Sequence, residues 1–473
     1  MGKRSSKSSR RVSHRAASSW NPTLRASIDA VFNKAKLERL ENRLLLSGTP
    51  DFTVGGTLGS NTHWFGTVEV TSNLTVAGGV TVTIDPGTVI KSTQGVGITV
   101  DGTVDAMGTA AAPIIFTTIN DDTVGTSLTS TGTSTGVAGS WDQIVFAAGS
   151  DASIVQNAQI RFAGNANNPG NTSFFRPAIQ ITSSKVDLSN VQVLNSDQEG
   201  INIASGNPTL NTVLVDHARD QAFEVSSTAL PSYSALSATN DSLDGVQLDG
   251  GTISGAETWN FGGLPVQISG SFTIASTGAL TIVPGQVVKW YNGGSLTVNG
   301  TLNAQGTAGE PIIFTSYRDD SAGGDTNADG PSSGVAGDWQ SIVFNAGSDA
   351  SVLQNVQIDY AGNQVGPGNP SWFKTALQVN SSLHLQNVQV NNSDWEAIFT
   401  GAGSPTYTNV SVNTARKQAF ETVLAATPTL LQLSAANTSL NGYELDGGTI
   451  SANRELSFGG LVGVINGSLT VAT

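Results

Sequence analysis

Ala178-Ile179-Gln180-Ile181, Gly200-Ile201-Asn202-Ile203 and Ala222-Phe223-Glu224-Val225 repeat one short pattern at a step of 22 residues. A second set keeps that step, Leu188, Val191 and Val193 becoming Leu210, Val213 and Val215. Each segment alternates apolar and polar residues, the period of a strand with one buried face. A fixed step of this length marks a stacked repeat, in which each coil buries its apolar side chains against its neighbours. Consecutive coils of such a stack pair in parallel at about 4.8 Å. The expected fold is all-β, a right-handed parallel β-helix (solenoid) whose inward side chains fill a tube.

The body of the chain is also duplicated. Pro86-Gly87 recurs as Pro284-Gly285, Pro113-Ile114-Ile115-Phe116 as Pro311-Ile312-Ile313-Phe314, and Trp141 as Trp339, each 198 residues on. A one-residue deletion near Lys185 changes the offset to 197, so that Ala222-Phe223-Glu224 recurs as Ala419-Phe420-Glu421. Gly467-Ser468-Leu469-Thr470-Val471 begins a third copy by repeating Gly270-Ser271-Phe272-Thr273-Ile274. The expected organisation is a basic head at 1–47, a first unit at 55–267, a second at 268–464, and the start of a truncated third at 465–473. A stack ending mid-unit exposes an unpaired edge, so the chain is expected to be a fragment of something longer or a remnant of decay.

Composition narrows the function classes. Of 473 residues, 54 are glycine and only 12% are charged, and there is no cysteine to form a disulfide or a thiolate metal site. The net charge of −14 is unevenly spread, because residues 1–47 hold 11 of the 22 Lys and Arg and three of the 36 acids. The remaining body is strongly acidic, which argues against nucleic acid or an anionic lipid surface as its partner. No apolar run approaches the length needed to span a membrane.

Met1 to Ser19 reads as a disordered basic tail. From Pro22 to Leu46, Leu24, Ile28, Val31, Phe32, Ala35 and Leu40 fit one stripe of a short N-terminal helix. In Leu40-Glu41-Asn42-Arg43-Leu44-Leu45-Leu46 the chain resembles the LEPR-XLL N-terminal motif of large bacterial surface and secreted proteins, with Asn42 in place of the usual proline. That resemblance implies export and residence outside the cell or on its surface. The phrases GTVDAMGTAAAPIIFTT (102–118) and GTLNAQGTAGEPIIFTS (300–316), followed by GSWDQIVF (139–146) and GDWQSIVF (337–344), resemble pectate-lyase-like β-helix repeats of bacterial extracellular proteins. The resemblance implies fold rather than activity, since such scaffolds carry lyases, hydrolases, adhesins and spacers.

Asp325-Thr326-Asn327-Ala328-Asp329-Gly330 places oxygen ligands at alternate positions and glycine sixth, as a compact calcium loop requires. Asp319, Asp320 and Asp338 are near enough in sequence to complete a shell for Ca2+. Ala336 at the twelfth position rules out an EF-hand, and a solvated acidic turn is the alternative. Asp197 and Glu199, like Asp394 and Glu396, are spaced as a carboxylate pair could be in a glycosidase. Arg219 and Arg416 follow those aspartates by 22 residues, so the favoured reading is a structural pair between neighbouring coils. Asn387 and Asn409, with Asn355, read as a stacked ladder, and Asn157 and Asn190 as its first-unit counterpart, interrupted at Thr212. Trp141 and Trp339 read as pins for a glycine-rich loop, whereas Trp372, Phe373 and Trp395 are the candidates for glycan contact, with Phe174 and Phe175 as first-unit partners.

The four histidines form no close pair, and no nucleophile elbow, phosphate loop or dinucleotide fingerprint is present. The leading expectation is therefore an exported cell-surface structural or adhesive module that is not an enzyme, contacting extracellular polysaccharide or the cell envelope. A polysaccharide lyase or glycoside hydrolase is the first alternative, and calcium-dependent glycan binding the second.

Overall fold

In the computed structural model, residues 48–129, 134–165, 176–364 and 373–472 are described. The apolar positions of the 22-residue repeat face inward. Ile179 and Ile181, Ile201 and Ile203, and Phe223 and Val225 are all buried, and they meet in register as Ile179↔Ile201↔Phe223 and Ile181↔Ile203↔Val225. Leu188, Val191 and Val193 pair with Leu210, Val213 and Val215 in the same way. Parallel pairing stacks like on like along the whole molecule, so the buried side chains form one continuous core from Trp64 to Tyr443. Each fully buried Val, Leu or Ile in that stack contributes roughly 1.5–3 kcal/mol.

Tight corners separate the strands. Pro86-Gly87 and Pro284-Gly285 supply turns in which proline presets its own backbone angle and glycine takes φ of 82° and 78°. At other corners asparagine accepts the left-handed conformation, with φ of 47° at Asn157, 52° at Asn190, 49° at Asn355, 53° at Asn387 and 53° at Asn409. The only antiparallel contact among the described strands is the short pair Asn363–Gln364 with Phe373–Lys374.

The expected open solenoid needs correction. Among the described residues the fold is all-β with no helix, but the parallel strands close on themselves. Val266–Ile274 pairs with Val287–Trp290, and pairing continues through Ile312–Ser316, Val352–Asp359, His384–Ser393 and Thr406–Thr422. It returns through Ile398–Thr400, Leu377–Val379, Ser341–Phe344 and Ser295–Val298 to Val266–Ile274, a closed ring of ten parallel strands. Closure arises because long strands such as Thr406–Thr422 run through a corner and pair on both sides of it. The result is a closed parallel barrel rather than an open stack of separate faces. The short helix expected within Pro22–Leu46 and the basic tail lie outside the described residues, as does the LEPR-XLL-like stretch. No helix of the described residues is long and apolar enough to cross a membrane.

Candidate functional site

Two buried lysines organise the loops that cover the outer wall. Lys91 lies in strand Val89–Ser92 and Lys289 in Val287–Trp290, registered beside Thr117 and Thr315 respectively. Both are fully buried, an expensive place for an ammonium group unless polar partners surround it. Lys91 Nζ donates to Asp121 O at 2.7 Å and Thr126 O at 2.8 Å; Lys289 Nζ donates to Gly324 O at 2.7 Å and Thr326 Oγ1 at 3.0 Å. Each lysine thereby ties a loop to the strand beneath. Burial pulls the Lys289 ammonium down to about 8, against the opposing pull of Asp320, Asp319, Asp325 and Asp329. Burial also lowers Lys91, opposed by Asp121 and Asp122.

The two loops differ in what surrounds the matching aspartates Asp122 and Asp320. Asp122 accepts from Ser127 Oγ at 2.7 Å, from Ser134 Oγ at 2.9 Å and from Thr129 Oγ1 at 3.4 Å. Burial acts to raise its carboxyl, but the donors from Ser127 and Ser134, with Lys91, bring it below the usual range. In the second unit the counterparts of Ser127, Thr129 and Thr131 are Asp325, Asn327 and Asp329. Carboxylates cannot donate, so Asp325 and Asp329 place acceptors where the first unit has hydroxyl residues, while Asn327 keeps an amide donor.

Three of the six residues expected to hold a metal come together there. Oxygens of Asp320, Asp325 and Asp329 lie within 4.8 Å of one another. Asn327 Nδ2 donates to Asp329 Oδ2 at 2.9 Å, leaving Asn327 Oδ1 buried without a hydrogen bond. Asp320 Oδ2 accepts from Ser332 N at 2.5 Å, and its Oδ1 is likewise buried and unpaired. Gly330 N donates to Asp325 Oδ2 at 3.0 Å, which shapes the turn at the glycine. Asp319 and Asp338 are engaged elsewhere. Asp319 is buried and accepts from Thr315 Oγ1 and Ser321 Oγ, both at 2.6 Å; Asp338 accepts from Ser316 Oγ at 2.6 Å and Val335 N at 2.9 Å. The four side chains left, Asp320, Asp325, Asn327 and Asp329, offer the oxygen-only donor set that a hard divalent cation such as calcium prefers.

The remaining candidates have structural surroundings. Arg219 Nε lies 3.3 Å from Asp197 Oδ1, and Arg416 Nε 3.3 Å from Asp394 Oδ1. Trp141 and Trp339 are fully buried, and each indole donates at 2.7 Å to a backbone carbonyl, of Arg161 and Asp359 respectively. Trp395 is half-buried, with Lys417 Nζ 4.6 Å and Arg416 Cζ 5.4 Å from its ring centroid. These cations occupy ring surface that a stacked sugar would use. Trp372, Phe174 and Phe175, and the side chain of Phe373, lie outside the described residues.

The sequence reading missed a second acidic cluster. Glu421, Glu444 and Asp446 bring carboxylate oxygens within 4.8 Å of one another, Glu421 and Glu444 being direct neighbours in the ladder. Burial, then the charges of Asp446 and Glu444, push Glu421 up to about 7. Glu199 and Glu396 are also raised to about 7, first by burial and then by neighbouring acids. Glu444 lies 23 residues after Glu421, one more than the 22-residue repeat step, so the step alone lands on Tyr443 and misses it. No family model, no curated protein and no solved structure matches the chain.

Proposed function

We propose that the chain is an exported, non-catalytic structural or adhesive module of the cell surface, with a calcium ion fastening the loop of its second unit. The observation that carries the calcium reading is the exchange around one aspartate. Hydroxyl groups surround Asp122, whereas Asp325, Asn327 and Asp329 stand at the corresponding positions near Asp320. The buried Lys289 faces Asp319, Asp320, Asp325 and Asp329, and Arg318 reaches Asp338 and Asp329, so carboxylates still outnumber cations and a divalent cation would offset the excess. A loop fastened in this way presents a fixed outer surface to a polysaccharide or to the envelope.

The export reading rests on the resemblance of Leu40, Glu41, Arg43, Leu45 and Leu46 to a surface-protein motif. Against catalysis stand the duplication of the Asp197/Glu199 pair as Asp394/Glu396 and the engagement of both aspartates by arginine. The test is incubation of the full chain with acidic and neutral polysaccharides, in calcium and in chelator. Retention without release of reducing ends or unsaturated uronates supports the module reading. Sustained turnover that is lost in Asp394→Ala overturns it.

A further inference from the structure

Each unit contains a cavity at the same place in its sequence. The first, about 210 Å3, lies among Leu230, Pro231, Tyr233, Glu257, Trp259 and Phe261. The second, about 320 Å3, is lined by the residues 197 positions later, including Pro428, Leu430, Arg454, Leu456 and Phe458. The position is duplicated, but the chemistry is not. Tyr233, Glu257 and Trp259 of the first cavity correspond to Leu430, Arg454 and Leu456 of the second.

The first cavity has aromatic walls and few polar groups. Tyr233 and Phe261 have ring centroids 5.7 Å apart, and Trp259 and Phe261 6.3 Å apart. Trp259 Nε1 donates to Glu257 Oε1 at 2.9 Å and so fixes the carboxylate against the wall. The Tyr233 hydroxyl is buried with no hydrogen-bond partner, although Glu257 is close enough to act on it electrostatically. Leu230, 49% exposed, stands at the margin. A ligand must therefore bring hydrogen-bond donors to a carboxylate and a phenol oxygen, place a cationic or apolar group among aromatic rings, and lay an apolar body on Leu230 and Pro231. A sugar, ringed with hydroxyls, would find too few partners here.

We propose that the first cavity binds a primary alkylammonium group, its charged head between Glu257 and Tyr233 and its chain along Leu230 and Pro231. The shared chemistry fits a free aliphatic amine and equally the side chain of a lysine in another protein. The second cavity is its internal control. Arg454 donates to the carbonyls of Leu424 and Ala426, so a fixed positive charge stands where the first cavity has its carboxylate. Burial raises the Glu257 carboxyl, and a bound ammonium would draw it back toward ionisation.

The test is calorimetric titration of the full chain with n-butylammonium, with a lysine blocked at both backbone ends, and with n-butanol. Saturable binding of butylammonium, with n-butanol weaker by roughly tenfold or more, is the expected result. Blocked lysine binding as well would assign the site to a protein partner; butylammonium alone would assign it to a free amine. Glu257→Gln should weaken the amine by about tenfold and Tyr233→Phe by a few-fold, while Glu455→Gln beside the second cavity should leave it unchanged. Unchanged circular dichroism and melting of each variant exclude misfolding. Equal binding of amine and alcohol, no saturable amine binding, or an unaffected Glu257→Gln variant would overturn the proposal. None of these results depends on calcium or on adhesion.

Discussion

Arg416 follows Asp394 by 22 residues, yet its Nε lies 2.8 Å from the Asp394 backbone carbonyl and 3.3 Å from Asp394 Oδ1. Arg219 repeats the arrangement on Asp197, at 2.9 Å and 3.3 Å. These contacts join strands one step apart and fix their register from outside. Both arginines are well exposed, so water and salt weaken the charge interaction. A double-mutant cycle of Asp394→Ala and Arg416→Ala, followed by urea unfolding, should give a coupling of about 0–1 kcal/mol that shrinks with added salt. A coupling of several kcal/mol would contradict this.

Lys289 holds its loop from below, so its removal should be costly. Lys289→Met leaves Gly324 O and Thr326 Oγ1 without their buried donor and takes away a cation that faces Asp319 and Asp320. The expected loss is about 3 kcal/mol in urea unfolding. Lys417, half-buried with its ammonium over the Trp395 ring and not enclosed by a loop, should cost about 1 kcal/mol or less on the same change.

The asparagine ladder gives a gain as well as a loss. Asn409 Nδ2 donates to Asn387 Oδ1 at 2.8 Å, and Asn387 Nδ2 to Asn355 Oδ1 at 3.0 Å, all three at positive φ. In the first unit Asn190 donates to Asn157 at 2.6 Å, but the next corner holds Thr212 at φ 56°, a poor conformation for a branched side chain. Thr212→Asn should therefore stabilise by about 1 kcal/mol, extending the ladder and relieving the backbone. Asn387→Ala should destabilise by about 1–3 kcal/mol, and Asn387→Gly by less, because glycine restores only the backbone freedom. Thermal and urea unfolding of the three variants checks the order.

Raised carboxyls set the pH dependence. Burial leads the causes that lift Glu199, Glu396 and Glu421 from 4.5 to about 7, Asp241 from 3.8 to about 7 and Asp359 from 3.8 to about 6. Between the unfolded and folded values the folded chain keeps protons that the unfolded chain has released. The stability from these groups is full below about pH 4 and is lost as pH rises through 7. In calcium-free buffer the protein should be more stable to urea at pH 5.5 than at pH 8 by on the order of a few kcal/mol, and should melt at a correspondingly higher temperature. Glu199→Gln should flatten that slope.

Parallel stacking was legible because identical residues recur at one step: Leu188 over Leu210 and Val193 over Val215 are visible in sequence and paired in space. Closure of the barrel was not. Thr406–Thr422 reads as two segments in the sequence, yet it is one continuous strand that pairs with His384–Ser393 up to Ala415 and with Ile398–Thr400 from Phe420. The buried lysines were hidden for a similar reason, since in Val89–Ser92 every residue is buried and strand alternation disappears once a loop covers the outer face. Four metal-site residues were recognisable, Asp325, Asn327 and Asp329 from the Asp-x-Asn-x-Asp spacing and Asp320 from its nearness in sequence. Asp319 and Asp338 were not separable from them, because only the fold shows which hydroxyl each carboxylate meets. The aromatic cavity left no local motif, being built from segments brought together by the ladder.

Calorimetric titration of the calcium-stripped full chain with calcium, beside a variant carrying Asp325→Ser and Asp329→Thr, decides whether the ion fastens this loop. Those substitutions restore the hydroxyl residues of the first unit, so the loop should fold without the ion. Saturable calcium binding at this loop in the native chain and its disappearance in the variant are expected, with calcium raising the melting temperature of the native chain alone. Absence of calcium binding in the native chain, or equal binding and equal stabilisation in the variant, would contradict it.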